Sequence, residues 1–232
     1  MKSPLLAVFV LTALLVGSAC SAPPDQSIIV STARAPGINC DFSDSTKYVE
    51  GGALDMSVPP IYQSYLQIFS WENDLQNISV TTTTQITSET PNTFIATTIK
   101  DNYVLVGGTS PPNGLVSISA SIPPGGTPNE NDVGVYLLTS TARQAICGAP
   151  SATDNCPGLV LTAAQPSATL LVTFQVAGAL VGGGAAQTNA ITYPLTLFKG
   201  GNVDVATGQC AAGFVPVTTS CGDPGRDIAY CQ

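Results

Sequence analysis

The sequence predicts an all-β chain folded as an antiparallel β-sandwich, immunoglobulin-like or related. Apolar residues recur with period two over short segments, β-branched Val, Ile and Thr are dense throughout, and Gly and Pro clusters separate the segments. That density of β-branched side chains disfavours helix, because their χ1 freedom is lost against the preceding turn.

In chain order, Ile28, Ile29 and Val30 form a candidate short strand within an aperiodic stretch rich in Ser, Pro, Ala and Asp. Leu54, Met56 and Val58 alternate with Asp55 and Ser57. Tyr65 to Trp71 reads as a half-buried strand, and Ile78 to Gln85 as a Val/Thr-rich one. Phe94 to Ile99 and Tyr103 to Val106 are read as two strands, with Lys100-Asp101-Asn102 as the turn between them. Leu115 to Ile122 sets Ser117, Ser119 and Ser121 against Val116, Ile118 and Ile122, and Pro123-Pro124-Gly125-Gly126 stops it. Val133 to Leu138 is a further strand, and Thr141 to Ile146 is expected to make one turn of helix. Leu170 to Val181 and Ala190 to Phe198 flank the glycine run Gly182 to Gly184. Trp71 and Tyr65 are expected in the core, where a sandwich needs large residues. Eight to ten short strands result.

Ahead of these strands, Lys2 precedes an apolar run from Leu5 to Val16, then Gly17, Ser18, Ala19 and Cys20. This is the layout of a secretory signal peptide. The run is short of the roughly 20 residues that a spanning helix requires. Small residues directly before a cysteine resemble the lipobox of bacterial lipoproteins, in which the thiol is acylated with chains such as palmitate. Gly17 departs from the Leu or Val usual in that motif. Ordinary secretion, with cleavage after Ala19 or Ala22, is the alternative. By the same resemblance, Ser21 after the anchor implies the outer membrane. The domain reading is a signal peptide over 1–19, a lipid anchor and flexible spacer over 20–46, and a sandwich over 47–232 with a Cys-rich tail over 208–232.

Removing Lys2 with the signal leaves six basic residues against fifteen acidic ones, a net charge of −9 that makes nucleic acid a poor partner. Charged residues make up only 9% of the chain, so solubility rests on hydroxyls and amides. The sequence contains no histidine, which excludes Ser-His-Asp and Cys-His catalysis and His-ligated metals. No catalytic residue, metal site or cofactor is therefore expected. A carboxylate-dependent carbohydrate enzyme remains as an alternative, requiring two of Asp55, Glu72, Glu89 and Glu130 to converge within roughly 5 to 9.5 Å. A calcium-steadied adhesin using Asp41 and Asp44, or Asn129 to Asp132, is a third reading, since calcium takes oxygen ligands.

Seven cysteines less Cys20 leave Cys40, Cys147, Cys156, Cys210, Cys221 and Cys231, an even set for an oxidising compartment. Six cysteines allow 15 pairings. Local loop closure favours Cys147 with Cys156 and Cys210 with Cys221, leaving Cys40 for Cys231, so the tail is expected to be disulfide-stapled.

Three further features carry a resemblance: Gly52-Ala53-Leu54-Asp55 followed by Tyr65 to Leu75, the Ile122 to Thr127 turn, and Cys221-Gly-Asp-Pro-Gly-Arg-Asp227 closing on Cys231. On these the chain resembles a loosely defined group of envelope lipoproteins from myxobacteria and related bacteria. The resemblance implies a place and a fold, without a reaction. The expected function is accordingly a non-catalytic, membrane-anchored envelope lipoprotein, structural or binding, with a protein or glycan as possible partner.

Overall fold

The computed structural model describes residues 27–35, 48–57, 65–76, 90–125 and 131–200. Two sheets pack face to face. The smaller contains β1 (Ile28–Arg34), β2 (Tyr48–Val49), β4 (Tyr65–Asn73) and β7 (Asp132–Leu138) in the order β2-β1-β4-β7. The larger contains β3 (Gly52–Asp55), β5 (Phe94–Leu105), β6 (Gly114–Ile122), β8 (Ser167–Leu180) and β10 (Ile191–Phe198) in the order β3-β10-β8-β5-β6, with β9 (Ala185–Gln187) paired to β8. Among the described residues there is one helix, α1 (Ser140–Cys147), which follows β7 directly.

Period-two burial explains the layers. Along β5 the inward residues Phe94, Ala96, Ile99, Tyr103 and Leu105 are all buried, and along β8 Leu170, Val172, Phe174 and Val176 are fully so. The sheets meet through aromatic contacts: the Phe69 ring lies 4.9 Å from Phe174 and 5.7 Å from Tyr193, the latter edge-on. Tyr65 and Trp71 are buried in the same core, as expected.

Turn and cap chemistry match the sequence. The Thr139 hydroxyl accepts from the Ala142 amide at 3.2 Å and caps α1, and Gly148 ends it with φ of 67°. Gly183 and Gly184 take φ of 99° and 98° in the turn after β8, conformations that L side chains rarely adopt. The Cys147–Cys156 disulfide is formed. Cys20, Cys40, Cys210, Cys221 and Cys231 lie outside the described residues, as do the expected strand Ile78 to Gln85 and the tail 208–232.

Three expectations are corrected. Lys100-Asp101-Asn102 is no turn: β5 runs unbroken through it, because Asp101 points inward between Ile99 and Tyr103 and the strand stays paired to β8 from Phe94 to Leu105. A polar triplet imitates a turn when its central residue is a buried acid. The segment read as spacer includes β1, which pairs with β4 and carries buried Ile28, Val30 and Ala33, so the sandwich starts well before residue 47. The sandwich is not wholly antiparallel either, since β3 runs parallel to β10, placing Leu54 beside Leu197. The strand pair expected around Gly182 to Gly184 is formed: β8 pairs antiparallel with the three-residue β9 just after the turn and then with β10 from Ile191↔Phe174 to Phe198↔Ser167.

Two side-chain amides complete what the strands leave open. Asn189 donates to the Val30 carbonyl at 3.0 Å and accepts from the Val30 amide at 2.8 Å, acting as a stand-in strand beside β1. Asn73 donates to the carbonyls of Asn92 and Ile122, both at 2.9 Å, tying β4 to the end of β6. Each satisfies buried backbone groups that would otherwise be costly.

Candidate functional site

The outer face of the larger sheet is a set of cross-strand rows whose composition follows from the strand alternation. Pro194, Leu171 and Val104 form an apolar row across β10, β8 and β5. The next row is Thr192, Thr173 and Asn102, in which the two threonine hydroxyls are 2.8 Å apart. Gln175, Lys100 and Leu115 make the third, across β8, β5 and β6. All of the last two rows but Thr192 borders a shallow depression of about 470 Å³, whose lining includes Lys100, Asn102, Asn113, Leu115, Thr173 and Gln175. Three amides, a hydroxyl and one ammonium thus converge on a small apolar patch.

Beneath this face, in the core, lies a carboxyl group with an unusual environment. Asp101 is 2% exposed; its Oδ2 accepts from the Tyr103 hydroxyl at 3.2 Å and its Oδ1 has no hydrogen-bond partner. Burial raises its pKa from 3.8 to about 6, the Tyr103 hydrogen bond opposing part of the shift. Burial and the neighbouring carboxylate push the Tyr103 phenol up as well. Gly114 leaves room above the pair, since a Cβ there would stand 3.4 Å from Asp101 Oδ2.

A second polar cluster sits where β3, α1 and the disulfide loop meet. Asp55 Oδ1 accepts from the Ser57 amide at 2.9 Å, the Ser57 hydroxyl at 2.6 Å and the Gly200 amide at 3.0 Å. Arg143 donates to the Met56 carbonyl at 3.1 Å, and Asn155 to the Ser57 carbonyl at 2.7 Å. Burial lowers the Arg143 pKa to about 10, with attraction to Asp55 working against it. Next to this cluster, Lys199 pairs with Asp154 at 2.8 Å on the rim of a cavity of about 510 Å³ whose wall includes Leu159, Val160 and Leu161. Burial tends to raise the Asp154 carboxyl, and hydrogen bonds from Lys199 and the Cys156 amide outweigh it, so its pKa falls.

Asp55, a candidate for the carbohydrate-enzyme reading, is 1% exposed and its Oδ1 already accepts three hydrogen bonds, a burial that closes it to a substrate. Glu72 lies on the other sheet, opposite Ile29, and Glu89 and Glu130 are outside the described residues. Of the calcium candidates, Asp41, Asp44 and Asn129 are also outside them. Asp132 is engaged by Arg34, with Nε 3.4 Å from Oδ2, and burial raises its pKa against that pull. Among the described residues, no three Asp, Glu or Cys side chains form a group able to hold a metal ion.

The residues that build these clusters carry little signal in the sequence. Arg34 and Arg143 are 1% and 3% exposed, and nothing in the local sequence marks either as buried. Lys100, Asn102 and Gln175 come together only through strand register, which a single sequence does not reveal. Compared with family models, with curated proteins and with solved structures, the chain gives no match to any. Its function is therefore argued from its own residues.

Proposed function

We propose that this chain is a non-catalytic envelope lipoprotein, a β-sandwich held at the outer membrane through lipid on Cys20 that presents the outer face of its larger sheet to a protein or a surface glycan. The observation that carries the binding role is the pair of polar rows Thr192-Thr173-Asn102 and Gln175-Lys100-Leu115 bordering one depression. Amides and hydroxyls both donate and accept, which suits sugar hydroxyls and peptide backbone alike. On strands paired along both edges such groups are held in place, so less conformational entropy is lost on binding. The lack of histidine and the sealed state of Asp55 support a non-catalytic reading.

The test is crosslinking from native membranes with the wild-type chain and with a Lys100→Ala/Asn102→Ala variant, followed by titration of the captured partner or glycan. A loss of affinity of at least tenfold in the variant, with its melting temperature kept, is expected. Equal binding by both chains would refute the assignment to this face.

A further inference from the structure

We infer that β6 is an interface between two copies of this chain, which join their larger sheets edge to edge by antiparallel pairing of β6 with β6. Among the described residues, strand β6 is the last on its side of the larger sheet and pairs only with β5. Among the described residues, the single hydrogen bond to it from outside the sheet is that of Asn73 to the Ile122 carbonyl. Among the described residues, nothing else pairs with its outward edge.

Open edges invite pairing, and folded proteins blunt them with charge, proline, brevity or a cover. The other edges here are blunted. Strand β2 is two residues long and β3 four; Val30 is covered by the Asn189 amide; β7 starts with Asp132, held by Arg34, and runs straight into α1. By contrast β6 has nine residues, Gly-Leu-Val-Ser-Ile-Ser-Ala-Ser-Ile, with neither charge nor proline. Its core-side residues Val116, Ile118 and Ala120 are only partly buried, and Leu115 is 74% exposed on the outer face. One more strand beside β6 would cover both sets.

The sequence of β6 favours a second β6 as that strand. A two-fold contact requires a patch complementary to itself. Antiparallel pairing centred on Ile118 sets Ile118 against Ile118, Val116 against Ala120 and Ser117 against Ser119. Apolar residues meet apolar ones on the core side, Ser117 meets Ser119 and Leu115 meets Ser121 on the outer side, and no charge is buried. A strand pair of this length falls short of the roughly 1,200 Å² that marks the lower limit of stable interfaces, so the dimer is a weak one in dilute solution.

The experiment uses the full mature chain with Cys20→Ala, in sedimentation velocity over a wide concentration range. A reversible monomer–dimer equilibrium is expected, and a Ser117→Lys/Ser119→Lys variant, which sets lysine against lysine at exposed positions, should weaken it at least tenfold while melting like the parent. Nitroxide labels at position 117 should lie closer to each other across the dimer than labels at position 121, because pairing centred on Ile118 puts position 117 one residue from the two-fold axis and position 121 three. A chain that stays monomeric at every concentration, a dimer indifferent to the two lysines, or the reverse order of label distances would each overturn the inference.

Discussion

Because the Asp101 carboxyl is buried with one oxygen unpartnered, its protonation is coupled to folding. Its folded pKa of about 6 lies above the ordinary 3.8, so between these values the folded chain holds a proton that the unfolded chain releases. The stability this group contributes is present below about pH 4 and is lost as pH rises toward 6. Asp101→Asn should therefore stabilise the protein at pH 7, by about 3 kcal/mol at most, and give little gain at pH 4. Urea melts of both chains at the two pH values check this; an equal difference at both would show that the effect is not titration. Gly178 makes a steric counterpart. A Cβ there would run into the Ile95 carbonyl across the sheet, so Gly178→Ala should destabilise by about 2 to 4 kcal/mol in the same melts.

At the scale of elements, the disulfide loop acts as a brace. Cys147 ends α1, Cys156 is nine residues on, and the loop between carries Asp154 to Lys199 and Asn155 to Ser57. Replacing both cysteines with serine should lower stability by about 3 kcal/mol on loop entropy alone, with further loss as those two contacts loosen; calorimetry gives the number. This brace was legible in the sequence, since short spacing already favoured the pairing. So were α1, within a residue at each end, and β4, β7 and β10, whose period-two patterns stand between clear breaks. Illegible were features that depend on a distant partner. Asp101 between Lys100 and Asn102 reads as a turn until Tyr103 and the neighbouring strand are known, and nothing local to Gly52-Ala53-Leu54-Asp55 announces a parallel mate at Leu195 to Phe198. The site rows fall in the same class, because register across β10, β8 and β5 is a three-strand property.

For the whole molecule, the first question is where it is held. If Cys20 carries lipid, mass spectrometry of the mature chain should find an acylated cysteine at its N-terminus, and Cys20→Ala should move the protein from the membrane fraction to the soluble one. An unmodified terminus at Cys20 or Pro23 would instead mean free secretion. Two pairings described above also set the order of events when the chain first folds. β3 needs β10, far along the chain, and Val30 needs Asn189, 159 residues away. A ribosome or an export channel releases residues in order, so nearly two hundred must emerge before either contact can form. Until then the sheets formed by the earlier strands lack β8 and β10 to pack against. High contact order of this kind makes for slow folding, so a chain emerging in this way depends on whatever guards unfolded polypeptides during that interval.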